Sequence, residues 1–253
     1  MTMTFTVAAF PPPRLDTTAR APQRLGLWRG LGWTGLAVLA GFAVPFFYGL
    51  TAAIWNEVRP HHPIPLPDGL DLLNAFLFVA GLAAFFAIIV LACRRSGWRA
   101  VDYLALTRPR GRFLRLGALA FAVPLAAALT AATYGGPGSA TVPSTGNALI
   151  LFLLGVTVVA PVCEELLFRG FLFRVLADSR LGVAGAIALT ALVWAALHTD
   201  KSWAGMAATF FTGLAWGWLR WRTQSTLATI AVHGLNNLVA AVGITATVLA
   251  AGS

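Results

Sequence analysis

The chain has 253 residues, of which 58% are hydrophobic and only 11% charged, and its formal net charge is +9. Soluble domains carry about 25% charged residues, so too few polar side chains exist here to cover a water-facing surface, and lipid must be the solvent for much of the protein. The basic excess does not mark a nucleic-acid binder, because the arginines fall in short stretches between apolar runs, which is the pattern of membrane topology.

Those apolar runs do not alternate with period two, as barrel strands would. The expected fold is therefore all-α, a polytopic membrane helix bundle of about seven transmembrane helices, with six to eight allowed by the boundaries. Residues 1–26, with Phe10, Pro11, Pro12 and Pro13 and no apolar core, read as a disordered cytoplasmic tail. A helix needs about 20 residues to cross the hydrocarbon. On that ruler the spans fall at 31–54, 72–93, 114–134, 148–171, 181–198, 203–219 and 227–250, the fifth and sixth being short. The 56–69 linker contains Pro60, Pro63, Pro65 and Pro67 and is expected as an extended loop. A second break at 135–146 is rich in Gly and holds Pro137 and Pro143. Residues 97–106 put Trp98, Val101 and Leu104 at helical spacing among charges, the pattern of an interfacial helix.

All but Arg59 and Lys201 of the 18 Lys and Arg residues then fall on one side: Arg14 to Arg29, Arg94 to Arg115, Arg169 to Arg180, and Arg220 with Arg222. This predicts a cytoplasmic N-terminus and an external C-terminus in a multi-pass chain. The Ala- and Arg-rich composition points to a bacterial cell membrane. Cys93 and Cys163 lie in or beside apolar runs and read as small buried hydrophobes rather than a disulfide framework or structural zinc site.

A charge near the bilayer centre costs about 2.5–3.5 kcal/mol on insertion scales, so an intramembrane ionisable group is a functional candidate. Of the nine Asp and Glu residues, only Glu164 and Glu165 stand well inside a span. Successive helical residues point about 100° apart, so the two carboxylates meet different surroundings. Glu165 lies four residues before Arg169, the favourable order for an ion pair, while Glu164 has no local cation. His198 follows Trp194 by one turn, and His233 and Asn237 share a face. Each histidine alone reads as readily as a packing residue. A Glu pair, two His and an Asn on three helices instead suit a buried site between helices. His61 and His62, in the proline-rich linker, are expected to be exposed and without a role. Gly213 and Gly217 form a small-xxx-small face for close helix approach.

The ordered elements EELLFR, WAALH, FFTGLAWG and HGLNN, each inside an apolar run over about residues 147–240, resemble the CPBP family of CAAX proteases and bacteriocin-processing enzymes, also called Abi. On that division residues 27–140 supply N-terminal membrane helices and a basic cytoplasmic loop, and 147–250 the CPBP-like catalytic bundle. The resemblance implies peptide-bond hydrolysis within the membrane, on a peptide or membrane-protein substrate, with no nucleic acid involved. Carried over by position, Glu164 activates water with help from His198, His233 and Asn237 hold the oxyanion, and Glu165 and Arg169 support the site. Trp194 stands where the family usually has Phe and is expected to preserve an aromatic contact. The resemblance to prenyl-protein proteases implies a glutamate mechanism with no cofactor required. The alternative is a zinc ion on Glu164, His198 and His233, although no HExxH occurs, nor a GxSG or GxGD of other intramembrane classes. Two other readings stay open: a non-catalytic scaffold or immunity-type partner binder of the same fold, and a transporter. Simple spans place Glu164 and His233 nearer the cytoplasmic face and His198 near the opposite one, unless residues 199–202 dip into the membrane.

Overall fold

The computed structural model describes residues 23–65, 72–134, 146–199 and 201–251; residues 1–22 of the expected tail and 135–145 of the break lie outside them, while the tail's last residues are ordered, with Leu25 buried. Among the described residues all regular structure is helical. In chain order come α1 (Leu27–Val58), α2 (Leu72–Arg95), the single turn α3 (Ala100–Tyr103) and α4 (Phe113–Tyr134). One long helix over 146–177 follows, made of α5 (Gly146–Leu154), α6 (Ala160–Glu165) and α7 (Phe173–Ala177) joined by two π-helical turns. The chain finishes with α8 (Gly182–Ala196), α9 (Trp203–Thr223) and α10 (Thr226–Ala251). All seven expected helices are present, and the chain is a helical membrane protein. Among the described residues, Leu27–Val58, Phe76–Arg95, Leu149–Ala177 and Thr226–Gly243 are long and apolar enough to cross a membrane, and Phe113–Ala126 and Gly182–Ala196 are apolar but shorter. Large apolar side chains such as Leu39, Phe42, Phe46 and Phe47 stand exposed on α1, as lipid-facing residues should.

Two sequence expectations need adjustment. The helix α1 runs to Val58 rather than stopping before Asn56, because the Asn56 side chain bonds both the carbonyl and the amide of Ile64 and folds the linker back against the helix end. The 97–106 segment forms only one helical turn. Tyr103, Leu104 and Ala105 then turn into the protein and are buried, and the Leu104 and Ala105 carbonyls accept from the Thr226 hydroxyl and amide. His61 and His62 are exposed, as expected.

These contacts collect one end of the bundle. The Gln23 amide donates to the Ser96 carbonyl, and the Arg110 amide donates to that of Thr223. The start of α1, the end of α2, the start of α4 and the α9–α10 turn are thus tied together. This is the arginine-rich end. Gln224 takes a left-handed conformation (φ 53°) between α9 and α10 and lets the chain reverse there.

Helix packing is set by glycines where backbones meet. A Cβ on Gly81 would collide with the Gly41 carbonyl, so α1 and α2 cross at bare backbone. A Cβ on Gly213 would stand 2.8 Å from the Ala191 Cβ, and one on Gly217 3.1 Å from Ile187. The small-xxx-small face of α9 therefore seats α8, and the pair forms one wall of the C-terminal half. Around it Trp216, Leu219, Phe168, Phe173 and Ala228 make a buried core.

Overpacking a tight contact costs about 1–3 kcal/mol. Gly213→Ala is expected to lower the unfolding temperature of detergent-solubilised protein by several degrees. Gly35→Ala, on an exposed face where a Cβ meets nothing within 4 Å, should leave it unchanged or slightly raised.

Candidate active site

The site begins with a proline. Pro161 has no amide hydrogen to return to the preceding turn, and the helix widens there into the π turn Gly155–Val159, closed by the Ala160 amide on the Gly155 carbonyl. The wide turn leaves the Val156 carbonyl free for another helix. The Asn237 side chain takes it, with Nδ2 donating at 2.8 Å. One turn earlier on α10, Gly234 comes so close that a Cβ would stand 2.8 Å from the Thr157 carbonyl. This seam fixes the register of α10 against the 146–177 helix, and with it the positions of His233 and Asn237.

Glu165 is fully buried and is the hub of the polar core. Its Oε1 accepts from Arg169 Nη1 at 2.9 Å and from His233 Nδ1 at 3.0 Å. Arg169, equally buried, also donates from Nη2 to the Gly213 carbonyl at 3.4 Å, and its guanidinium lies 4.8 Å from the Trp194 ring centre. The expected Glu165–Arg169 pair is present, but its third member, His233, comes from another helix and could not be read from spacing. A carboxylate oxygen can only accept, so His233 Nδ1 carries a hydrogen and Nε2 is left as the ring nitrogen for other partners. Trp216 packs against the His233 ring at 4.2 Å between centroids.

Glu164 faces the other way, as the angular argument requires. Its Oε2 accepts from Trp194 Nε1 at 2.5 Å, a contact beyond the aromatic one expected of Trp194. His198 Nδ1 meets the Trp194 carbonyl at 2.7 Å, and the two rings lie edge to face at 5.0 Å. Because a carbonyl can only accept, Nδ1 is the protonated nitrogen, and a neutral His198 presents Nε2 as an acceptor.

Glu164, His198, His233 and Asn237 all line one cavity of about 360 Å³. Its floor and far wall add Trp194, Trp216 and the small residues of α9, and Pro124 of α4 contributes from the N-terminal half. Lys201 stands at the cavity, with Nζ donating to Thr209 Oγ1 at 3.1 Å. Neither Pro124 nor Lys201 carries a motif that sequence reading could seize on.

The mismatch in depth disappears for a simple reason. About 20 Å of helix separates Glu164 from Ala177, and about 24 Å separates Gly182 from His198, so the two residues arrive at similar height above the α7–α8 turn. The helix α8 is only 15 residues long, and α9 opens on Ser202, whose hydroxyl accepts from the Gly205 amide at 3.2 Å. Among the described residues no three His, Cys, Asp or Glu side chains are grouped so as to hold a metal ion. Glu164, His198 and His233, the residues of the zinc alternative, are thus not such a group, although they line the same cavity.

The class is now defined: a helical membrane protein with carboxylate, imidazole and amide groups gathered in a cavity between helices. Residues 146–239 match the family model described as type II CAAX prenyl endopeptidase Rce1-like, in agreement with the resemblance read from the motifs. No match was found among curated proteins or solved structures.

Breaking a buried ion pair from one side costs about 3–5 kcal/mol, because the remaining charge is left unpaired. Glu165→Ala is thus expected to lower thermal stability in detergent severely. Glu164→Ala, which removes a group that is only half-buried, should shift it by far less. Equal losses would show that Glu165 is not the hub.

Proposed function

We propose that the protein is an intramembrane endopeptidase in which Glu164 activates a water molecule for attack on a peptide bond of a membrane-associated or lipidated peptide or protein. The observation that carries this reading is the convergence of Glu164, His198, His233 and Asn237, from three separate stretches of chain, on one cavity. A water in that cavity gives its proton to Glu164, with His198 Nε2 as a second acceptor, and its oxygen adds to the substrate carbonyl. The resulting oxyanion is met by the free hydrogen of the Asn237 amide and by His233, which donates from Nε2 when doubly protonated beside the Glu165 carboxylate. The proton held by Glu164 then passes to the leaving amine, and the C–N bond breaks. Donors held in place by buried partners stabilise developing charge without reorganising, which is the service that Glu165 and Val156 perform for His233 and Asn237. No cofactor enters this scheme.

The arginine-rich end is assigned to the cytoplasm of a multi-pass cell-membrane protein, by the one-sided distribution of basic residues. The substrate then approaches from the bilayer, where the apolar outer faces of the helices stand.

General acid–base groups contribute about 10²–10⁴-fold. Purified protein in detergent should hydrolyse members of a peptide library, and Glu164→Ala should lower kcat by a factor in that range or more. Activity should persist in a strong chelator. Loss in chelator with recovery on zinc would install the metal alternative. Equal cleavage by the variant, or none by the wild type, would favour a scaffold or partner-binding role for the same fold.

A further inference from the structure

Trp194 contacts Glu164, His198, His233 and Arg169. Its indole nitrogen donates to Glu164 Oε2 at 2.5 Å, and its carbonyl holds His198 Nδ1 at 2.7 Å. Its ring lies edge-on to His233 at 5.7 Å and under the Arg169 guanidinium at 4.8 Å. It is itself almost fully buried, 4% exposed, against Trp216 and beside the α8–α9 seam at Gly213. The indole is therefore anchored on all sides, and its N–H is a fixed donor rather than a rotating one.

A carboxylate on a flexible Glu side chain can turn either oxygen to a water and can swing toward a nearby cation. Arg169, five residues further along the 146–177 helix and paired with Glu165, is the cation of that stretch. A donor fixed on Oε2 removes both freedoms: it holds the carboxylate plane and leaves Oε1 for the cavity. The same residue's carbonyl selects the Nδ1–H form of His198 and thereby leaves Nε2 as an acceptor. Hydrogen bonds that choose a ring tautomer and orientation from outside the reacting shell are a recognised means of tuning a site.

We propose that Trp194 is a positioning residue that aligns both proton acceptors of the site, fixing one oxygen of Glu164 through its indole N–H and the tautomer of His198 through its carbonyl. The proposal rests on the endopeptidase reading for its effect on turnover, but the hydrogen bond itself is open to test without activity.

The test therefore has two parts. In the first, the indole ¹⁵N–H resonance of Trp194 is identified by its disappearance in Trp194→Phe. It should move upfield in Glu164→Ala, and a resonance that does not move overturns the contact and the proposal. In the second, Trp194→Phe and a variant carrying benzothienylalanine at position 194 are assayed beside the wild type. The benzothiophene keeps the ring system and replaces N–H by sulfur, so it separates the lost donor from lost packing if the Phe variant is unstable. Hydrogen bonds to charged groups are worth enough for about 10- to 100-fold, and kcat should fall by that factor with KM unchanged within about twofold. Wild-type kcat in the benzothienylalanine variant, or a loss confined to KM, overturns the positioning role. If instead the resonance moves as expected while Glu164→Ala still turns over, the contact is real and the endopeptidase reading is what fails.

Discussion

One oxygen atom, Oε1 of Glu165, organises the C-terminal half of this protein. It accepts from Arg169 on its own helix and from His233 on α10, inside a layer with no access to solvent. An ionised carboxylate in such a place is tolerable only when its charge is matched. That requirement dictates much else. Arg169 must also be buried, so its second donor reaches the Gly213 carbonyl and its face is covered by Trp194. Gly213 must be bare to let α8 approach, and Trp194 on α8 then falls between the buried pair and Glu164. The neighbouring carboxylates are in this way assigned opposite duties by a single step of 100° along one helix.

The 146–177 helix does not obey regular α-helical bonding, and its irregularities lie at its contacts with other helices. The first π turn follows from Pro161 and offers the Val156 carbonyl to Asn237. The second spans Leu166–Leu172 and includes Arg169, whose carbonyl accepts from Arg220 Nε of α9 at 3.0 Å. Wide turns of this kind recur at functional sites because they re-aim side chains and release backbone acceptors. Here the released acceptors are filled by side chains from the two helices that complete the cavity.

Much of this could be read from the sequence, and the limits of that reading have physical causes. Helix number and type followed from apolar run length, because the hydrocarbon thickness is a fixed ruler. The Glu165–Arg169 pair followed from i, i+4 spacing, and the split between Glu164 and Glu165 from helical rotation. Depth was harder. Counting spans from one face to the other assumes that each crosses fully, and α8 is too short for that, so such a count sets His198 far from Glu164. The His233–Glu165 contact depends on the register between two helices distant in sequence, which Pro161 and Gly234 set together and neither reveals alone. The donor role of Trp194 escaped because an aromatic one turn from a histidine reads first as a packing contact, and nothing in the spacing tells which atom of the indole faces a carboxylate. The turn at residues 97–106 looks amphipathic because its apolar residues recur at helical spacing; Leu104 is buried in the protein, while Val101 stays exposed.

The wide turns also bear on the order in which the chain can be assembled. A nascent helix over 146–177 enters the bilayer before α9 and α10 have been made, with no water in the hydrocarbon to satisfy a stray carbonyl. Until those later helices arrive, the Val156 and Arg169 carbonyls lack the side-chain donors that hold them in the finished protein, and the Glu165 carboxylate has Arg169 but not His233. The cavity is thus the last part of the molecule to exist. A chain halted before Thr226 contains Glu164, Glu165, Trp194 and His198 yet lacks the seam and the His233 bond to the hub, so incomplete copies of this protein carry these polar residues without their finished arrangement.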